Sequence, residues 1–427
     1  MTPDATRART RGARTRQRIC IAVRPAIVLA LVWLTIGATV SAQEDPDSRA
    51  AELRRAREQK AASLQPYDPG KIERVLLWLE NNRSWERLLN PAEGTYPKVG
   101  TITPGSGISF GAGYRYPELF SERGAFSTMG MVSFQAYWLV NAQLNFPELA
   151  NGRLYADLAV EAYDHQSESF ISRGPEARLD QDYYYGFRNT SGSGLIGFRL
   201  APWVSIGAGA EYLVPVVDPP RRGGALQARF TAAELPGLDR QPNFGRYIVF
   251  AEVNTREPRG NPRTGGLYAV RYERFDDRDF NVFNFDRVEA EIQQYLSIFN
   301  QRRVLALHGV VSSSVADAGQ FVPFYLQRTL GGPDTLRGFR RNSLRDDNVL
   351  LLQAEYRWEV FTAMDAALFG DWGKVAARPE DLDLQNLEHD YGIGVRFGTD
   401  NGVFLRIEGA FGSRHGAQYV FRFGNVF

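Results

Sequence analysis

Most of the chain after about residue 100 alternates between apolar and polar side chains with a period of two. The longest such stretch runs from Phe126 to Phe146, where even positions are mostly apolar and odd positions mostly polar. This is the period of a β-strand, whose successive side chains point to opposite faces. A soluble β-sandwich has the same alternation, but its strands are usually far shorter. The length therefore favours the tall strands of a transmembrane barrel.

The same alternation returns toward the C-terminus, where one face of every predicted strand carries charges. Even positions from 350 to 360 are apolar or aromatic, and odd positions include Gln353, Glu355 and Arg357. A charge facing lipid costs about 2–4 kcal/mol at mid-membrane, so the charged face is expected to line a polar lumen.

Turn residues separate the predicted strands. Gly, Pro, Asn and Asp cluster in short turns at 261–266 and 400–402, and longer loops fall near 166–182, 215–243, 316–347 and 377–389. Alternate short and long connections are typical of outer-membrane barrels. The predicted fold class is all-β, a transmembrane antiparallel β-barrel over residues 99–427 with about fourteen to sixteen strands.

The N-terminal residues 1–42 have the pattern of a cleaved export signal. Seven arginines precede an apolar run over residues 26–40, which ends in Val40-Ser41-Ala42. A positive start, a short apolar core and small residues at its end are the secretory pattern. A membrane anchor is the alternative, although the core is short for the ~20 residues of a spanning helix. Cleavage after Ala42 would remove Cys20, the only cysteine.

Residues 43–98 are predicted to form a charged, helical periplasmic segment. Residues 49–65 are rich in Ala, Arg and Glu, and residues 71–89 carry apolar side chains at helical spacing.

A sharply bent loop is predicted in the sequence LQRTLGGPDTLRGF, residues 326–339. Gly331, Gly332 and Pro333 are turn residues. Arg337 then places a permanent positive charge beside Gly338, where the backbone can pass closely.

The same loop suggests a charged lock. An unpaired charge inside a lumen is costly, and Glu355 and Asp371 lie on the inward parity of successive strands. We predict that Arg337 pairs with one of these carboxylates, with Gly338 and Phe339 as the packed tip of the loop. A solvated surface arginine is the alternative.

Four ordered motifs resemble one family. The Arg-Gly-Phe loop and the stretches 348–357, 367–375 and 391–397 are similar to the BamA/TamA-like bacterial surface antigen family of outer-membrane assembly and translocation barrels. The family's proline a few residues after the inward Glu is missing here. The resemblance implies sixteen strands. It also implies POTRA domains before the barrel, for which residues 43–98 offer no strand alternation and little room.

The chain ends in a pattern similar to the barrel-recognition signal of outer-membrane proteins. A glycine is followed by alternating hydrophobic residues and a terminal aromatic: Gly416, Tyr419, Phe421 and Phe427. An ordinary amphipathic edge strand with belt aromatics is the alternative. Together with the export signal, the pattern predicts the outer membrane of a Gram-negative-type envelope.

Enzymatic chemistry finds little support. The four histidines are widely spaced without a metal-ligand pattern, and the Gly-Ser repeats do not form a Gly-x-Ser-x-Gly elbow. The net charge of +1 gives no sign of a nucleic-acid partner. We predict no enzyme, metal or cofactor, although a lipase or protease site assembled from distant strands stays the minor alternative.

Two functions stay open. The resemblance implies a protein that helps polypeptide into or across the outer membrane, with outer-membrane lipid, unfolded outer-membrane or secreted polypeptide, and a periplasmic accessory protein as partners. Because no POTRA domain is predicted, a passive pore or structural barrel is the alternative.

Overall fold

The computed structural model describes residues 52, 55–59, 74, 91, 93–103, 105–120, 123–171, 173–174, 182–299, 301–361, 364–399 and 402–422. Contacts divide the chain into two units, Met1–Asp68 and Pro69–Phe427. In the first unit, residues 55–59 are helical. The predicted signal peptide, most of the predicted helical segment and Phe427 lie outside the described residues. Among the residues described, no helix is long and apolar enough to cross a membrane.

Antiparallel strands make up most of the second unit. In chain order they are β1 (Gly94–Gly100), β2 (Ser109–Leu119), β3 (Gly124–Ser133), β4 (Trp138–Leu149), β5 (Leu154–Phe170), β6 (Tyr183–Ala201), β7 (Val204–Asp218), β8 (Gly224–Ala225), β9 (Phe244–Asn254), β10 (Gly265–Asp277), β11 (Phe285–Ile298), β12 (Arg303–Ala316), β13 (Arg328–Leu330), β14 (Leu344–Asp346), β15 (Asn348–Phe361), β16 (Met364–Ala376), β17 (Glu388–Thr399), β18 (Gly402–Phe411) and β19 (Gln418–Arg422). Single turns of 3-10 helix span Leu226–Ala228, Phe324–Leu326 and Pro379–Asp381.

Sixteen of these strands form one sheet in which each long strand pairs with the next along the chain. The strands β8, β13 and β14 are short and belong to the connections. The predicted all-β class is therefore confirmed, and the described strands that pair in chain order equal in number the sixteen that the resemblance implies.

The two faces of the sheet have the polarity that the alternation predicts. On β15, Gln353, Glu355 and Arg357 are buried, and on β18 Arg406 is buried while Ile407 is exposed. Charged residues thus share the inner face, and large apolar residues lie on the outer face, as lipid outside and a polar interior require.

One predicted strand is in fact two. The alternation from Phe126 to Phe146 covers β3, a tight turn and β4. Val132 pairs with Trp138 across this hairpin, and the Ser133 N–H donates to the Tyr137 carbonyl at 2.8 Å. The facing residues Val132 and Trp138 are both even-numbered, so the turn leaves the period of two unbroken.

The sheet also begins earlier than predicted. Strand β1 starts at Gly94, inside the stretch expected to be helical and before the predicted barrel start at residue 99. It is held by seven residue pairs with β2, from Gly94 opposite Arg115 to Gly100 opposite Ser109. A segment this short shows no clear period of two, and only its pairing with β2 defines it as a strand. The sequence pattern therefore missed it.

The connections alternate in length as predicted. The connections from β5 to β6, β7 to β9, β12 to β15 and β16 to β17 are long and lie at one end of the sheet, and short turns such as 202–203 join strands at the other. The longest loop, 317–347, folds over the inner face of the sheet. Its Arg341 contacts Glu168 on β5 at 3.0 Å, while its Arg337 contacts Glu408 on β18 at 3.2 Å. Strands far apart in the sheet contact one loop, so the sheet curves round it.

We expect β1 and β19 to meet and close the barrel, because an open edge in lipid would leave backbone groups unsatisfied. A closed barrel should stay folded in unheated SDS samples and migrate faster than the boiled protein. A mature protein that purifies without detergent would contradict this expectation.

The inward loop and its charged lock

The inward loop, residues 331–341, starts with a glycine pair whose backbone few other residues can adopt. Gly331 has φ +103° and Gly332 has φ +105°. The Gly332 N–H is shared between the carbonyls of Leu336 (3.1 Å) and Phe339 (3.0 Å), which closes the bend. A Cβ on Gly331 would lie 2.2 Å from the Arg340 carbonyl oxygen. The predicted turn residues are therefore needed for the fold of this loop.

Arg337 lies at the centre of the site and is 1% exposed. Its Nε and Nη2 donate to the two oxygens of Asp371 at 2.8 and 2.7 Å, and its backbone N–H donates to the same carboxylate at 3.1 Å. Its Nη1 donates to Glu355 at 3.0 Å and to Glu408 at 3.2 Å. The two carboxylates that the sequence offered as alternatives both bind this arginine.

The surroundings keep Arg337 charged. Burial lowers the pKa of the guanidinium, but Asp371, then Glu355 and Glu408, outweigh it and raise the pKa above its usual value. The guanidinium carbon also lies 3.4 Å from the centre of the Phe369 ring, a cation–π contact. The loop thus carries a fully ionised, fully desolvated arginine.

A larger buried network surrounds this centre. Glu355 also accepts hydrogen bonds from Arg357 and Arg396. Glu408 accepts from Arg396 and from Arg406, each at 3.0 Å. Each buried arginine of this network contacts a carboxylate, and each of these carboxylates contacts an arginine. Because a buried charge is costly unless paired, this pairing lets four strands and one loop bury their charges together.

The tip of the loop packs against strand ends. A Cβ on Gly338 would lie 2.6 Å from the Asp390 Cβ. Phe339 is buried in an apolar cluster with Leu336 and Leu344 and meets the His415 ring edge-on at 5.1 Å. Gly338 and Phe339 therefore form a closely packed tip of the loop.

The other predicted site residues lie apart from this cluster. Gly416 has φ +74° in the connection before β19, and Tyr419 and Phe421 are exposed on the outer face of β19. Nothing in their placement tests the predicted recognition signal. Pro333 belongs to the loop, and its carbonyl accepts from Arg406 at 3.3 Å.

Sequence reasoning missed the role of Glu408, Arg396 and Arg406. Their inward parity was visible, but their pairing depends on the register between β17 and β18. That register sets Arg396 directly opposite Arg406, and like charges in this position repel. Glu408 binds both and so makes the arrangement possible.

Within the described ranges, no group of three His, Cys, Asp or Glu side chains is arranged to hold a metal ion. The charged groups of the inward loop satisfy one another, and their arrangement suits a structural lock that fixes a loop inside a barrel.

His415 gives the site a dependence on pH. Its Nδ1 accepts from the Arg340 N–H at 3.0 Å. Burial, then Arg340 and Arg414, lowers the pKa of His415 from 6.5 to about 4. Unfolded His415 takes up a proton near pH 6.5 and folded His415 only near pH 4, so its contribution to stability is complete above pH 6.5 and falls as the pH drops toward 4.

We expect His415→Asn to weaken this pH dependence, because an amide oxygen can replace the Nδ1 acceptor without titrating. The measurement is the urea midpoint of unfolding at pH 7.5 and at pH 4.5 for both proteins. An equal fall in midpoint for the wild type and the variant would contradict the assignment.

The geometry agrees with comparisons to known proteins. Residues 250–424 match the model of the Omp85 superfamily domain. The crystal structure of BamA from Haemophilus ducreyi lacking POTRA domains 1–3 is similar, with a TM-score of 0.60 and 16% identity over 78% of this chain and 70% of that one. CdiB from Escherichia coli gives a TM-score of 0.49 and 12% identity over 77% of this chain and 59% of that one. No curated protein sequence matches the chain.

The likeness to BamA confirms the predicted barrel fold. The Omp85 superfamily domain match over residues 250–424 agrees with the predicted resemblance and with the predicted outer-membrane location.

Proposed function

We infer that this chain assists the insertion or translocation of polypeptide at the outer membrane. Its match to the Omp85 superfamily domain over residues 250–424 supports this function. The observation that supports this most directly is a cavity between the inward loop, the connection that follows edge strand β1, and edge strand β19.

The cavity has a volume of about 430 Å³. The β1–β2 connection lines one side with Thr101, Gly105 and Gly107, and β19 lines another with residues 418–422. The inward loop, including Pro333, and Gln135 from the β3–β4 turn form the remaining walls. An edge strand presents backbone donors and acceptors to an extended polypeptide, so a chain that enters here can pair with the barrel.

Edge strand β1 is also short, with 7 residues against 17 in β5 and 19 in β6. Few ladder hydrogen bonds make local opening inexpensive relative to the rest of the sheet. We therefore place the opening between β1 and β19 and call it the seam.

The test is client insertion into liposomes that contain the purified protein. A small outer-membrane barrel is diluted from urea, and its folding is followed by heat-modifiable migration. We expect faster folding than in empty liposomes and in liposomes with an equal mass of a porin. Adding periplasmic extract to the same assay tests for the predicted accessory protein.

A passive pore gives the opposite pair of results. Client folding would then match the porin control, while planar bilayers would show a steady conductance. That outcome would replace the insertion proposal with the alternative of a pore or structural barrel.

A further inference from the structure

We propose that Asp334 is a positioning residue that ties the last strand to the inward loop, an inference that rests on the proposed seam between β1 and β19. The Asp334 Oδ2 lies 2.5 Å from Arg422 Nη1 on β19. Its Oδ1 accepts from Arg406 Nη2 on β18 at 3.2 Å. One loop carboxylate thus holds both strands of the final hairpin.

The other end of the same hairpin is held by the tip of the loop. Ser413 Oγ donates to the Gly338 carbonyl, and the Arg340 N–H donates to His415 Nδ1. Residues 334–340 therefore run alongside the β18–β19 hairpin and contact it at its turn and again at Arg422. A movement of the loop and a movement of β19 are coupled by these contacts.

The ionic attachments of the loop at Arg337 and at Asp334 differ in strength. Arg337 and its three carboxylates have fully buried side chains, whereas the side chains of Asp334 and Arg422 are 39% and 26% exposed. Water screens a partly exposed ion pair, and such pairs form and break readily. The arrangement combines a permanent lock at Arg337 with a releasable tie at Asp334.

Asp334 has charged neighbours of both signs. Arg406 and Arg422 attract Asp334, and Glu408 repels it. Removing the Asp334 charge leaves Arg406 paired with Glu408 at 3.0 Å, so the variant Asp334→Asn disturbs the tie to Arg422 without leaving Arg406 unpaired.

The experiment is hydrogen exchange of the full mature protein in nanodiscs, read on peptides that cover residues 402–422. We expect Asp334→Asn and Arg422→Gln each to speed exchange of the β19 amides roughly fivefold, the scale of losing a partly exposed ion pair. The double variant should exchange no faster than Asp334→Asn alone, because Arg422→Gln removes a contact that Asp334→Asn has already lost. Peptides of β5 and β6 should be unchanged.

The matched control is Asp317→Asn. Asp317 pairs with Arg274 at 2.7 Å with side-chain exposures of 39% and 29%, but this pair lies away from β19. Unchanged β19 exchange in both single variants, additive effects in the double variant, or the same increase in Asp317→Asn would each overturn the tie. If Asp334→Asn does not fold, Arg422→Gln tests the same contact from the strand.

This readout is independent of client insertion. Faster β19 exchange in the variants, combined with no client insertion by the wild type, would refute the proposed function and leave the tie standing. Unchanged β19 exchange in the variants, combined with client insertion by the wild type, would refute the tie and leave the proposed function standing.

Discussion

Replacing Arg337 with alanine is expected to cost roughly 3–5 kcal/mol of unfolding free energy, because it leaves the buried carboxylate of Asp371 without its cation and weakens the pairing of two more carboxylates. Asp371 loses both of its side-chain bonds to this arginine, and Glu355 and Glu408 lose one each. The measurement is urea unfolding in detergent micelles, followed by tryptophan fluorescence and heat-modifiable migration. The unfolding free energy of Arg337→Lys should lie between those of the wild type and Arg337→Ala, since lysine keeps the charge but loses the bidentate geometry.

Arg274→Ala is the matched control for this prediction. Arg274 also contacts two carboxylates, Asp286 and Asp317, but all three side chains are partly exposed. Its loss should stay within about 1 kcal/mol. Equal, small losses in the two alanine variants would show that the buried network does not hold the loop.

Gly331→Ala is expected to be the second most damaging substitution, at roughly 2–5 kcal/mol from backbone strain plus a steric clash. Its φ is +103°, and the new Cβ would lie 2.2 Å from the Arg340 carbonyl oxygen and 2.6 Å from Ser343 Oγ. Neither the backbone oxygen nor the buried serine has room to move away. The same urea unfolding measurement gives the loss.

Gly332→Ala separates the two causes. Gly332 has nearly the same φ, +105°, but the closest atom to its Cβ would be 3.5 Å away. Only the strain remains, so we expect a loss of roughly 1–3 kcal/mol. If Gly332→Ala were as destabilising as Gly331→Ala, the clash with Arg340 would not be the cause.

The faces of the strands could be predicted from sequence because a period of two is a local property. Glu355 and Ile407 lie on the predicted sides for this reason. The turn between Ser133 and Tyr137 was hidden because it preserves parity, and β1 was missed because only its pairing with β2 defines it. Local periodicity reports the face of a residue, whereas strand ends depend on long-range pairing.

The site was predictable to the same extent. Inward parity selected Glu355 and Asp371 as partners for Arg337, and the structure brings all three together. Glu408 could not be chosen in the same way, since its approach depends on the curvature of the sheet and the register of β18. Asp334 could not be singled out within the predicted loop, because its contact with Arg422 joins segments far apart in the chain.

A disulfide across the seam tests the central claim most directly. Cysteines replace the outward-facing Val99 on β1 and, in turn, Tyr419 or Phe421 on β19. A bridge requires Cα atoms within about 7 Å, so the pair that oxidises also reports the seam register. The control pair is Val395→Cys with Ile407→Cys, which are direct partners on β17 and β18.

Client insertion in liposomes is then measured before and after reduction. We predict that the oxidised seam pair abolishes insertion, that reductant restores it, and that the oxidised control pair inserts client at the wild-type rate. Insertion at the wild-type rate through a fully oxidised seam would contradict the account.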